Sequence, residues 1–178
     1  MLDPGRRLHV VTPRAPLQLS GWPGYHWYVV PRVGYPDPNT FHRAYGQLVA
    51  FHDELWERTG VAPSRTVLGG FSMGSVMSYA LGLGENRPAP AGILVFSGFV
   101  PVVPDWAPVT AGRHTRVFVA HGRADPIMDV GFARRARELL EAGGLDVEYH
   151  ESDVAHQIDP AHVPAASEWL RSVLEGVE

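Results

Sequence analysis

Apolar residues in this chain fall into two patterns. Short unbroken runs, Thr66-Val67-Leu68, Ala91–Phe96 and Arg116–Ala120, lack the in-out alternation of a half-exposed strand and read as strands buried on both faces. Asp146–His150 reads as a further strand, and Leu8–Val11 as a short one ended by Thr12-Pro13. Between them lie segments of helical period. Phe41, Ala44, Tyr45, Leu48, Leu55 and Trp56 mark a helix capped by Asn39-Thr40 and closed by Gly60. Val76–Leu83 is apolar nearly all round, as in a helix buried behind a sheet. Phe132, Ala136, Leu139 and Leu140 share one face of a third helix, ended by Gly143-Gly144, and Pro164 opens a last one carrying Trp169, Leu170, Val173 and Leu174. Buried strands alternating with helices predict an α/β fold, a mostly parallel sheet with helices on both faces. A site in such a sheet forms beyond the carboxyl ends of its strands.

Residues 15–38 break the alternation. This stretch is rich in Pro, Gly and aromatics, with Trp22, Tyr25, His26, Trp27 and Tyr28 clustered, and reads as a long loop in which Trp27–Val30 has the makings of a strand. Its rings are either a small core beneath the loop or a wall facing substrate. Trp22, Trp27 and, after the Ala91–Phe96 strand, Phe99 are the candidates for substrate binding.

The length of 178 residues suits one domain spanning 1–178. Without cysteine, disulfides, thiolate metal sites and a cysteine nucleophile are excluded, and because all 15 basic residues are arginine, so is lysine chemistry. A net charge of −4 with scattered arginines argues against nucleic acid. No apolar run approaches the roughly 20 residues of a membrane span, and no apolar segment follows Arg6-Arg7 as in a secretory signal, so the expected location is cytoplasmic.

Chemistry is concentrated where strands end. Gly70-x-Ser72-x-Gly74 lies between the Thr66–Leu68 strand and the following helix, where flanking glycines let the two backbones pass closely and leave the serine hydroxyl exposed near a helix N-terminus. Asp125, before Pro126, follows the third long strand, and His156 follows the last. Serine needs a base to take its proton, and histidine serves best when a carboxylate fixes its tautomer. Asp125 has the alternative reading of a helix or turn cap. Asp129 reads as the cap of the next helix, and His150 and His162 as structural or surface residues. The spacing His150-Glu151-x4-His156 does not suit a zinc-binding helix, and no Gly-x-Gly-x-x-Gly or phosphate-cradling loop is present, so neither metal nor cofactor is expected.

The runs Val67–Ser75, Phe96–Pro101, Val119–Pro126 and Val154–His156 together resemble the carboxylesterase/phospholipase family of α/β-hydrolases, which includes acyl-protein thioesterases, in four motifs in order from about Leu8 onward. The resemblance implies an α/β-hydrolase sheet, Ser72 as nucleophile, His156 as general base and acid, Asp125 as its orienting carboxylate and the backbone N–H of Met73 as an oxyanion donor. It implies a small-molecule ester of short to medium acyl chain as substrate, with a thioesterase or lysophospholipase sharing the same machinery. The family often has Gln at the position of Met73 and Gly at that of Ser75. The sequence also lacks the family's strands before this point, including one that ends in His-Gly, supplies a second oxyanion N–H and lies between the equivalents of Leu8–Val11 and Thr66–Leu68, so that a truncated, minimal sheet is expected. The gap closes if Leu8–Val11 slides beside Thr66–Leu68, which needs no partner, or if a homodimer pairs through the exposed edge. The Gln18–Gly24 loop is a candidate for the second donor. A catalytically impaired scaffold that acts by binding is the alternative from another class.

Overall fold

The computed structural model describes residues 2–176 except 4, 6, 19 and 22. Its sheet has four strands, β1 (Val67–Phe71), β2 (Gly92–Phe96), β3 (Arg116–Gly122) and β4 (Val147–Ser152), parallel throughout and in chain order across the sheet. The helices are α1 (Pro38–Thr59), α2 (Met73–Leu83), α3 (Gly131–Ala142) and α4 (Val163–Glu175). No helix among the described residues is long and apolar enough to cross a membrane.

Strand side chains alternate between faces, and this decides which helix each strand meets. Ile93, Val95, Val117 and Val119 pack with Tyr79 and Leu83 of α2 and Ala133, Ala136 and Leu140 of α3. Their neighbours Leu94, Phe96, Phe118 and Ala120 pack on the opposite face with Ala166, Trp169, Leu170 and Val173 of α4. The unbroken apolar runs are thus explained by burial from both sides. A third cluster joins Phe41, Ala44 and Leu48 of α1 to Leu68 and the α2 residues Val76, Met77, Ala80 and Leu81.

Several expectations are corrected. Leu8–Val11 is not a strand: Leu8 packs beside α4 with its N–H bonded to Asp3 at 3.0 Å, while Val10 is 75% exposed. It does not slide beside β1, whose outer edge carries no strand among the described residues. Trp27–Val30 forms no strand either, and the loop's pairing is two isolated antiparallel bridges, Leu17 to His26 with backbone hydrogen bonds of 3.0 and 2.8 Å, and Arg32 to Tyr35 with one of 3.0 Å. The cap of α1 is Asp37, whose carboxylate accepts from the Thr40 N–H at 2.9 Å, with Pro38 as the first helical residue. Leu139 is exposed, and Ala133 takes the place expected for it in the buried stripe of α3.

β4 is pinned by charge as well as packing. Glu151, with its side chain only 14% exposed, accepts two hydrogen bonds of 2.8 Å from Arg134 and one of 2.7 Å from the Tyr149 hydroxyl. Chiefly through the Arg134 bonds, its pKa falls from 4.5 to about 2. A carboxylate with a depressed folded-state pKa stabilises the fold above its unfolded pKa and loses that contribution as pH falls through the folded value. The stability gap between wild type and Glu151→Gln in urea unfolding is therefore expected to be full at pH 7 and to shrink steadily between pH 4.5 and about 2. A gap that stays constant over this window would refute the assignment.

Candidate active site

The corner after β1 is set by backbone contact. An added Cβ on Gly70 would lie 2.3 Å from the Gly74 carbonyl carbon, closer than real side-chain contacts, so strand and helix cross here only with glycine. Ser72, between them, has φ 56° and ψ −121°, a conformation that residues with side chains rarely adopt. Its N–H donates to the Phe96 carbonyl of β2 at 3.0 Å, and its carbonyl accepts from Ser75 and Val76 at 3.0 and 3.2 Å. Ser75 braces the same corner from inside: its buried hydroxyl lies 2.6 Å from the Gly70 carbonyl oxygen and 2.7 Å from that of Phe96. Met73 begins α2, so its N–H has no acceptor within the helix and is free to meet an anion beside Ser72.

Ser72 Oγ lies 2.9 Å from His156 Nε2, and His156 Nδ1 lies 2.6 Å from Asp125 Oδ2. Asp125 is buried, and its other oxygen accepts from the N–H groups of Ile127 and Met128 at 2.9 and 2.8 Å. Burial is the largest single influence on this carboxyl and opposes its charge, yet the bond to His156 and those from Met128 and Ile127 together outweigh it and hold its pKa below the ordinary 3.8. An ionised Asp125 only accepts, so Nδ1 carries the proton and Nε2 faces the serine as an acceptor. That arrangement can remove the proton of Ser72.

The loops bearing Asp125 and His156 are sewn together. Arg123 N–H donates to the Ser152 carbonyl at 2.7 Å, Ala124 N–H to that of Val154 at 3.2 Å, and the Arg123 guanidinium to Asp153 at 2.7 Å. Gly122 permits the approach, since a Cβ there would lie 2.2 Å from the Val154 oxygen. Two contributors went unread in the sequence. Phe71, next to Ser72, packs its ring on that of His156 with centroids 4.8 Å apart, and His121 lies beside Asp125. Adjacency to the serine was the available signal for the first, and a buried histidine four residues before the carboxylate for the second.

The substrate-binding candidates fare differently. Phe99 is 4% exposed and packs against Phe132 with ring centroids 5.3 Å apart, so it fills core rather than lining an open cleft, a correction caused by the apolar cluster around it. Trp27 is half-buried and borders a hollow of about 190 Å³ with Pro13, Arg14, Gln47 and Phe51, whose lining contains none of Ser72, Asp125 and His156. Trp22 lies outside the described residues, as does Leu19 in the Gln18–Gly24 loop. Asp129 accepts from the Gly131 N–H at the start of α3, and His150 and His162 pack ring on ring 5.2 Å apart.

Residues 5–174 match the model of the phospholipase/carboxylesterase family. The chain is 27% identical to acyl-protein thioesterase 1 of Debaryomyces hansenii over 94% of its own length and 77% of the relative's. It is 30% identical to the esterase YpfH of Escherichia coli over 85% of its length and 65% of the relative's. It spans about half the length of other acyl-protein thioesterases that it matches. The crystal structure of esterase PE8 superposes with a TM-score of 0.76 at 30% identity, covering 91% of this chain and 77% of that one. The Bacillus cereus carboxylesterase shares the fold, with a TM-score of 0.77 at 22% identity over 90% of this chain and 73% of its own. These relatives place the chain among hydrolases acting on esters. With the family model matched along nearly its whole length, this chain belongs to the phospholipase/carboxylesterase family of α/β-hydrolases.

Proposed function

We propose that the chain hydrolyses carboxylic esters of short to medium acyl chain through an acyl-enzyme on Ser72. The observation that supports this most is the continuous run of contacts from Ser72 Oγ through His156 to Asp125, 2.9 and 2.6 Å long. In this reading His156 Nε2 takes the hydroxyl proton as Oγ bonds to the ester carbonyl carbon, and the carbonyl electrons move onto its oxygen. The Met73 N–H faces that oxyanion and stabilises it, an interaction commonly worth about 10²- to 10³-fold in rate. Collapse breaks the bond to the alcohol, which leaves with the proton from Nε2. Water then attacks the acyl-enzyme, gives its proton to Nε2, and Ser72 recovers it as the acid departs. Asp125 stays ionised throughout and stabilises the imidazolium.

Exposed apolar residues close in the chain to the three site residues support the reading of the substrate class. Phe71, Ile127 and Ile158 are exposed, and each stands within two residues of Ser72, Asp125 or His156 along the chain. Such an apolar rim suits a hydrocarbon acyl group. Thioesters share the same attack and the same oxyanion, and the relatives named acyl-protein thioesterase favour them as a second acceptor class.

Ser72→Ala should abolish labelling by a fluorophosphonate and lower kcat on nitrophenyl esters by about 10⁶-fold, and Asp125→Asn should lower it by about 10⁴-fold. Turnover within tenfold of wild type for either variant would end the proposal. Phe71→Ala, which removes the ring packed on the imidazole, should reduce kcat by roughly 2- to 10-fold; an unchanged kcat would leave Phe71 without a part in holding His156. Across nitrophenyl esters of increasing length, kcat/KM should rise by up to about fourfold per methylene as far as the rim reaches and then level off. A flat series would refute the apolar rim as the acyl site.

A further inference from the structure

His121 lies in β3, four residues before Asp125, with its side chain wholly buried. Its Nε2 is 2.8 Å from the Met128 carbonyl oxygen and 3.5 Å from Asp125 Oδ2. Both neighbours are acceptors, so Nε2 carries the proton and donates toward them. Its Nδ1 is buried and meets no hydrogen-bond partner among the described residues. An apolar side chain of similar size would fill the same space without stranding a nitrogen, so packing alone does not account for an imidazole here.

What the imidazole holds is the turn that presents the carboxylate. Met128 donates its N–H to Asp125 Oδ1 at 2.8 Å and accepts from His121 at its own carbonyl, so residue 128 is gripped from both sides. The Asp125–Met128 turn leads directly into the loop before α3 and has no strand to fix it. β3, by contrast, is central in the sheet, paired to β2 and β4. His121 therefore ties a segment outside any strand or helix to a strand paired on both sides, at the point where the carboxylate must be aimed.

We propose that His121 is a positioning residue for Asp125, fixing the Asp125–Met128 turn so that Oδ2 faces His156; this rests on the reading of Ser72, His156 and Asp125 as a catalytic relay. It touches neither substrate nor serine, and it acts wholly through Asp125. A group that acts through another loses its effect once the other is disabled, whereas a group that merely supports the fold exerts the same effect in either background.

The test is a double-mutant cycle on the full chain, combining His121→Leu with Asp125→Asn. Its readouts are kcat and KM on a nitrophenyl ester and the rate of Ser72 labelling by a fluorophosphonate, which stays measurable when turnover is slow. His121→Leu is expected to lower kcat and the labelling rate by about 10²-fold, the scale of an ångström-sized misplacement, with KM unchanged. In the Asp125→Asn background it should change neither rate by more than about twofold, well inside that loss. His121→Gln, whose amide nitrogen reaches as far as Nε2, should restore most of the loss, and His121→Asn, one bond shorter, should not; this pair carries the test if the leucine variant fails to fold. Equal losses in both backgrounds, no loss on His121→Leu, or equal rates for the Gln and Asn variants would each overturn the positioning role. Ser72→Ala with wild-type turnover would instead overturn the relay itself, which separates the two failures.

Discussion

Ser72 is held in a backbone conformation unfavourable to any residue with a Cβ, and the cost is tolerated because β1 and α2 leave it no alternative. Gly70 and Gly74 bring the two backbones into contact, the Ser75 hydroxyl ties the corner to both β1 and β2, and the Ser72 amide is anchored on Phe96. The result is a hydroxyl displayed at the end of a strand, beside the unpaired N–H groups that open a helix. Without that crossing the serine would sit in an ordinary strand or helix and face a neighbouring side chain.

The parallel sheet does the remaining assembly. All four strands run the same way, so every loop after a strand emerges at one edge, and residues as distant as 72, 125 and 156 converge without any local sequence relation. Electrostatics then sets the protonation pattern. A buried carboxylate supplied with three hydrogen bonds remains ionised, fixes the imidazole tautomer and leaves one basic nitrogen facing the serine.

Much of this was readable from residue order because the decisive features are local. Unbroken apolar runs mark strands covered on both faces, and a polar residue after such a run marks the edge where sites form. What failed to read depended on partners distant in sequence. Leu8–Val11 has the composition of a strand, but a strand needs a neighbour to bond with, and four residues cannot reveal its absence. Phe99 resembles a cleft residue until Phe132 is seen against it, and Leu139 and Ala133 differ only in helical phase. The α1 cap was legible and misread: a proline at position 38 marks the first helical residue, which makes Asp37 the cap. The packing of Phe71 on His156 and the grip of His121 on the Asp125 turn exist only in the folded chain.

The seams between the Arg123 region and the 152–154 loop give the site an unequal mechanical build. The loops bearing Asp125 and His156 follow adjacent strands and are joined by two backbone bonds and an ion pair, whereas the serine follows β1, which among the described residues has a neighbour on one side only and is separated from β3 by β2. The imidazole and carboxylate thus share one seam, and the 2.9 Å contact from imidazole to hydroxyl is the part of the run that reaches across the width of the sheet.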